Sequence, residues 1–434
     1  MRVQYRAMKS IALPGRIFLW SLVSALAGFL FGFDTVVISG GERAIQALWH
    51  LTPTQHGLAV GAALYGTVLG AMAGGWPADR FGRKPTLIFV GVLYCGSAVW
   101  SALAQDVMSF GVARLLGGLG IGISTVVAPM YITEIAPPVW RGRLTAMFQF
   151  NIVFGIVAAY ASNALLAEFG DAAWRWMIGV SALPSLLYLL LCFVIPESPR
   201  WQVLRVSRPD GSGGSREPFW SARLRRPILL AFLVAFFNQL SGVNAILYFA
   251  PRIFELTGLG PQAAMLQSVG IGVTNLVFTF IGLALIDRLG RRTLLLIGSF
   301  GYILSLGLTA WAFATAHFAI VPACIFGFIA AHAIGQGTVI WVFISEVFPT
   351  SHRAAGQSLG SFTHWIFAAL LSTVFPVMIT AFSPATVFLF FCGMMVLQLA
   401  WVLGWMPETR GVPLEVLEQQ LSPAGSRQAR RDGI

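Results

Sequence analysis

Charged side chains are scarce in this sequence. Asp, Glu, Lys and Arg make up 10% of the 434 residues, against 57% hydrophobic residues. A soluble domain has about a quarter of its residues charged, so that class is excluded. Acidic residues are the scarcer sign, 17 against 28 basic ones. Cysteine is nearly absent: Cys95, Cys192, Cys324 and Cys392 all fall in apolar runs and form no CxxC pair. This argues against a disulfide scaffold or a thiolate metal site and leaves buried packing thiols as the expectation. His50, His56, His317, His332, His352 and His364 are scattered without ligand or triad spacing. No metal, no cofactor and no enzymatic activity is expected. The short alternating segments of a membrane β-barrel are also missing.

What is present is apolar length. Mean hydropathy is +0.76, and stretches of about 20 apolar residues, each enough to cross a bilayer, follow one another. Twelve spans are expected at 17–39, 57–77, 85–104, 107–132, 144–166, 175–195, 227–250, 263–286, 293–316, 320–345, 355–380 and 385–406. Arg2, Arg6, Lys9 and Arg16 precede the first run. The run is a full span, so it reads as an uncleaved helix rather than a signal peptide. With the N-terminus inside, every Lys and Arg except Arg43, Arg114, Arg175 and Arg252 falls on the cytoplasmic side. That asymmetry expects both termini in the cytoplasm and makes the net charge of +11 a matter of topology and anionic lipid rather than nucleic acid.

The spans divide six and six: a first half at 1–195, a cytoplasmic linker at 196–226 containing the flexible-looking "RPDGSGGSREP", a second half at 227–406 and a tail at 407–434. "PLEVLEQQL" in the tail reads as a short helix before a basic, disordered end. The halves repeat. Asp79–Lys84 ("DRFGRK") recurs as Asp287–Arg292 ("DRLGRR"), Glu134 with Arg141 recurs as Glu346 with Arg353, and "PES" at Pro196 recurs as "PET" at Pro407, all near one offset. Parallel repeats of this kind place a substrate site at their interface near mid-membrane.

Two charges lie deep in apolar runs: Asp34 within "GFLFGFDTVVISG" and Arg114. A carboxylate at the bilayer centre costs roughly 2.5–3.5 kcal/mol. A partner at about 4 Å returns ~4 kcal/mol at an effective dielectric of 20. The pair is therefore stable only while intact, and protonating Asp34 releases Arg114. It reads either as a proton-sensitive switch or as a structural ion pair. "GGLGIG" after Arg114 follows no strand and lies inside a span, so it reads as close helix packing rather than a nucleotide loop.

The motifs "GFDTVVISG", "DRFGRK", "APMYITEIAPPVWRGR", "PESPRW", "NQLSGVNAILYFAP", "DRLGRR", "WVFISEVFP" and "PETRGVPLEVLE", in this order, resemble the sugar porter family of the major facilitator superfamily from Leu19 to Glu418. The resemblance implies an all-α membrane protein with the major facilitator fold, twelve transmembrane helices in two parallel-repeat six-helix halves. It implies a monosaccharide site with the amides Gln149, Asn238, Gln239, Asn244 and Asn275, an aromatic platform of Trp341 and Trp365, and the lining residues Phe31 and Tyr248. Any single one of these has helix glue or core packing as its alternative. Two departures stand out: Asn238 replaces the first of two usual glutamines, and His364 replaces an amide beside Trp365. "GQGTVIW" lacks the prolines of some glucose carriers, and the central loop is short for a full set of cytoplasmic helices.

The charged helix ends imply a cytoplasmic gate. Asp79, Arg80, Arg83, Lys84, Glu134, Arg141 and Glu197 mark it in the first half. Asp287, Arg288, Arg291, Arg292, Glu346, Arg353 and Glu408 mark it in the second. Surface ion pairs worth about 0–1 kcal/mol are the alternative. Aspartate at position 34 resembles the family's symporters rather than its passive carriers, which implies proton coupling through Asp34 and Arg114. The expectation is a monomeric proton–sugar (hexose or pentose) symporter of the cytoplasmic, or inner, membrane. A passive sugar or polyol facilitator or exchanger is the alternative, and a transporter-like nutrient receptor a remote one.

Overall fold

A computed structural model describes residues 15–207, 218–349, 352–412 and 414–421, and the account below is confined to them. The basic N-terminus, most of the glycine-rich loop and the basic end of the tail lie outside these segments. All regular structure among the described residues is helical.

Twelve helical segments are long and apolar enough to cross a membrane: Gly15–Gly40, Pro53–Ala73, Arg83–Leu103, Val107–Ile135, Arg141–Leu166, Gly170–Val194, Ala222–Tyr248, Pro261–Leu289, Arg291–Thr315, Phe318–Val347, Arg353–Ala381 and Pro384–Gly404. They are the twelve spans expected from the apolar runs, with ends shifted by a few residues. Large apolar side chains such as Leu165, Leu183 and Leu304 stay exposed on them, as lipid-facing residues must. The chain divides into two compact units at Asp210/Gly211, six spans in each.

Local chemistry sets several helix starts. Thr52 and Gln55 form a reciprocal capping box with Pro53 at the first helical position. Asp106 caps the fourth span through the Ser109 amide at 2.8 Å. The "GGLGIG" stretch supports close packing. A Cβ on Gly118 would run into the Ala63 carbonyl, and one on Gly66 into that of Leu115, so the second and fourth spans cross almost backbone to backbone. Of the four free cysteines three are buried, but Cys95 is only partly so, which corrects the expectation for that residue.

Three spans are irregular. The sixth breaks between Ala173–Gly179 and Ala182–Val194. The seventh breaks at Ser241-Gly242, as its sequence suggests. There Gly242 adopts φ 84°, and Ser241 Oγ donates to the Asn238 carbonyl at 2.7 Å. The tenth carries a wide π-helical turn at Ala333–Gly337. The tail helix Leu414–Leu421 buries Leu417 and Leu421 and pairs Glu418 with Arg223.

Candidate substrate and proton site

Asp34 sits three residues before the end of the helix Gly15–Val37, and Arg114 in the first third of Val107–Ile135. Both are buried, at 7% and 1% exposure. Arg114 Nη1 donates to Asp34 Oδ1 at 2.5 Å, and its Nη2 donates to the Asp34 backbone carbonyl at 3.1 Å. Asp34 Oδ2 and Arg114 Nε have no hydrogen-bond partner among the described residues. The contact is thus single, not the two-bond fork that Arg and a carboxylate can form. Oδ2 is a buried acceptor without a donor among the described residues, and the backbone carbonyl of Asp34 gives Arg114 a second hold on the first span.

In the second unit the break in the seventh span brings three amides into one network. Gln239 Nε2 donates to Asn238 Oδ1 at 2.8 Å, and Asn244 Nδ2 donates to Gln239 Oε1 at 2.8 Å. The second Gln239 proton meets His364 on the eleventh span, 3.1 and 3.2 Å from its two ring nitrogens, where the unprotonated one accepts. The His364 ring lies 5.1 Å from that of Trp341 and 4.6 Å from that of Trp365, centroid to centroid. Asn238 and Gln239 are sealed at 2% and 1% exposure, whereas His364 and Trp341 are half-buried. Uncharged donors and acceptors beside aromatic faces suit a polyhydroxylated ring. Asn275 is also buried and accepts a long bond from Thr279 within its own span. Tyr248 and Trp365 are both buried. Gln149 and Phe31 belong to the first unit, where both are half-buried.

The duplicated charged motifs form the same network twice. In the first unit Arg83 grips Glu134 with Nε and Nη2 at 3.0 and 2.9 Å, and its Nη1 bonds the Ala78 carbonyl and Asp79. Glu197 accepts the backbone amides of Arg83 and Lys84, while Ser198 Oγ donates to Glu134 at 2.5 Å. In the second unit Arg291 grips Glu346 at 3.1 and 2.8 Å and bonds Ile286 and Asp287. Glu408 accepts the amides of Arg291 and Arg292, and Thr409 donates to Glu346 at 2.6 Å. Gly82 and Gly290 make both possible. They adopt φ 108° and 93°, and a Cβ on either would strike the Glu197 or Glu408 carboxylate.

The structure shows which arginine reaches each glutamate, which the repeat spacing leaves open. Glu134 and Glu346 are held by Arg83 and Arg291. Arg292 instead sends its guanidinium to the Leu403 carbonyl at 2.7 Å, matching Lys84 on Phe193. Arg141 and Arg353, which share the repeat spacing with the two glutamates, open the fifth and eleventh spans and take no part in these grips. Arg83 and Glu134 are nearly sealed, at 5% and 6% side-chain exposure, against 10% and 22% for Arg291 and Glu346. Removing one member of a sealed pair leaves a bare charge and costs about 3–5 kcal/mol. Thermal unfolding in detergent should therefore show Arg83→Ala melting well below wild type, and below Arg291→Ala. The reverse order would show that burial does not set the strength of these grips.

Sequence reasoning overlooked three polar groups. Gln336, in the π-helical turn, donates to Gln398 at 2.7 Å, and Gln398 to Ser299 at 2.8 Å. Tyr302 and His332 are bonded at 2.5 Å. Glu42 and His56 form a buried pair. An amide inside "AIGQG" was the available signal for the first. Among the described residues no group of three His, Cys, Asp or Glu is placed to hold a metal ion.

The sequence profile of the sugar (and other) transporter family matches residues 20–212 and again 207–421. The chain belongs to that family, the sugar porters of the major facilitator superfamily. It is 33% identical to the arabinose-proton symporter of Bacillus subtilis (strain 168) across 93% of this chain and 95% of that one. It is 31% identical to the D-xylose-proton symporter of Escherichia coli (strain K12) across 94% and 96%. Its fold superposes on the inward-open xylose transporter XylE from E. coli with a TM-score of 0.82 at 30% identity, covering 93% of this chain and 99% of that one. The chain is thus a multi-pass membrane protein with the major facilitator fold, and the relatives it matches are transporters.

Proposed function

We propose that this protein is a proton-coupled monosaccharide symporter of the inner membrane that works by alternating access with both termini in the cytoplasm. The observation that carries the coupling is the Asp34–Arg114 pair, a buried single contact with one open carboxylate oxygen. Protonation at Asp34 Oδ2 neutralises the carboxylate, weakens the hold on Arg114 and lets the first and fourth spans shift. Proton-symporting relatives for arabinose, xylose and galactose support this reading. The chemistry is binding and movement without covalent change.

The sugar is held by Asn238, Gln239, Asn244, His364, Trp341 and Trp365, with Asn275, Gln149, Phe31 and Tyr248 contributing to the lining. The Arg83–Glu134–Glu197 and Arg291–Glu346–Glu408 networks, with Asp79, Asp287 and Arg292, brace the cytoplasmic helix ends so that each half moves as a stiff body. Arg141 and Arg353, outside these grips, are the arginines available for gating. Pentose or hexose preference is set by His364, whose imidazole replaces an amide. His364→Gln should change the order in which competing sugars displace a labelled one in counter-flow. An unchanged order would assign His364 to packing. The symport reading itself is tested by proton-gradient-driven sugar uptake in proteoliposomes.

A further inference from the structure

The tenth span turns two side chains toward one face that a regular helix would hold apart. Nine positions separate His332 from Trp341. At about 100° per residue an α-helix would set them on opposite sides, about 180° apart. The π-helical turn at Ala333–Gly337 lies between them and takes up one extra residue, which brings the two to within about 80°. Thr338 Oγ1 ties the turn to the Ala333 carbonyl at 2.6 Å. Gly337 shows the result. A Cβ there would lie 3.2 Å from the His332 carbonyl and 3.4 Å from Cδ2 and Nε2 of its ring, so the imidazole edge rests over Gly337. Trp341 follows one helical turn on. His332, Gly337 and Trp341 thus form one half-buried stripe that leads to the contact between Trp341 and His364.

The imidazole is anchored on its far side. Nδ1 is 2.5 Å from the Tyr302 hydroxyl on the ninth span. Tyr302 is sealed at 0% exposure, with its ring 5.1 Å from that of Phe328. Nε2 makes no hydrogen bond among the described residues and is not enclosed. A neutral imidazole offers one donor or one acceptor there, and a sugar hydroxyl answers either, so a bond forms with both tautomers. The amides nearby are already engaged: Gln239 bonds Asn238, Asn244 and His364. Nε2 is a polar atom that a ligand can bond without first breaking a bond inside the site.

We propose that His332 determines sugar specificity by bonding one hydroxyl of the monosaccharide through Nε2, while Tyr302 positions its ring. The inference rests on the proposed sugar site and extends it by a second imidazole.

The test is calorimetric titration of the full-length protein in detergent with D-glucose, D-galactose, D-xylose and L-arabinose, then with the monodeoxy derivatives of the tightest binder. Wild type is compared with His332→Phe, His332→Gln and Tyr302→Phe, with thermal unfolding as the control for folding. In wild type, each derivative that lacks a contacted hydroxyl should bind about tenfold or more weakly. In His332→Phe one of these penalties should vanish while the others stay, because phenylalanine keeps a ring but offers that hydroxyl no partner. His332→Gln, whose amide nitrogen can reach the place of Nε2, should restore it. Tyr302→Phe should shrink the same penalty and no other, since Nε2 remains but its anchor is lost. The full set of wild-type penalties in His332→Phe, or a uniform weakening across all derivatives, would overturn the contact. The full set in Tyr302→Phe would overturn the positioning. Should His332→Phe fail to fold, His332→Leu carries the same comparison. Failure of all four sugars to bind wild type would overturn the monosaccharide reading itself, whereas a sugar that binds with unchanged penalties overturns the His332 contact alone.

Discussion

Asp34→Asn should abolish sugar accumulation against a gradient while sparing counter-flow. At 100 mV and one pH unit a proton supplies about 3.7 kcal/mol, enough for an accumulation of several hundredfold at most. The variant should fall to simple equilibration. Asparagine keeps the size of the side chain but removes both the charge and the titration, and Arg114 keeps only its bond to the backbone carbonyl at position 34. Some loss of stability follows, because Arg114 is 1% exposed and loses its ion partner. Counter-flow needs no net proton movement, and the amide network of the second unit does not include Asp34. The measurements are uptake driven by an imposed proton gradient and exchange at equal pH, on the same vesicles. A purely structural ion pair would lose both activities together or neither.

The second large effect belongs to Gln239. Its amide is the hub of the network: it donates to Asn238 and His364 and accepts from Asn244. Gln239→Ala removes all three bonds at once and strands buried polar groups, each at a cost of about 1–3 kcal/mol. Sugar affinity should fall about ten- to hundredfold or more. Asn244→Ala removes one bond of the network and the amide itself, so its loss should be smaller. Calorimetric titration of the purified variants checks both, with thermal unfolding as the control for folding. Unchanged affinity in both variants would remove the seventh span from the site.

Much of the architecture is legible in the sequence because bilayer thickness converts apolar run length directly into helix count. The break at Ser241-Gly242 is legible for a similar reason, since only glycine adopts φ 84° without strain. The repeats expose the charged helix ends, but they do not say which arginine reaches which glutamate. Spacing places Arg141 with Glu134 and Arg353 with Glu346. Direction comes instead from Gly82 and Gly290, whose positive φ turns the following arginine into the cluster. Glu42 is illegible as a buried group because it lies past the apolar run, in a stretch that reads as a loop. Tertiary packing buries it beside His56 of the second span, at 2% side-chain exposure. The break in the sixth span has a local cause in Pro184, which has no amide hydrogen to return to the Val180 carbonyl, whereas the π-helical turn at Ala333–Gly337 carries no proline.

Proton coupling through Asp34 is tested most directly by sugar uptake into proteoliposomes under an imposed inward proton gradient, with and without a protonophore. The account predicts transient accumulation above equilibrium in wild type, collapsed by the protonophore and absent in Asp34→Asn. Uptake by wild type that reaches only equilibrium and ignores the protonophore would contradict it and make this protein a passive facilitator.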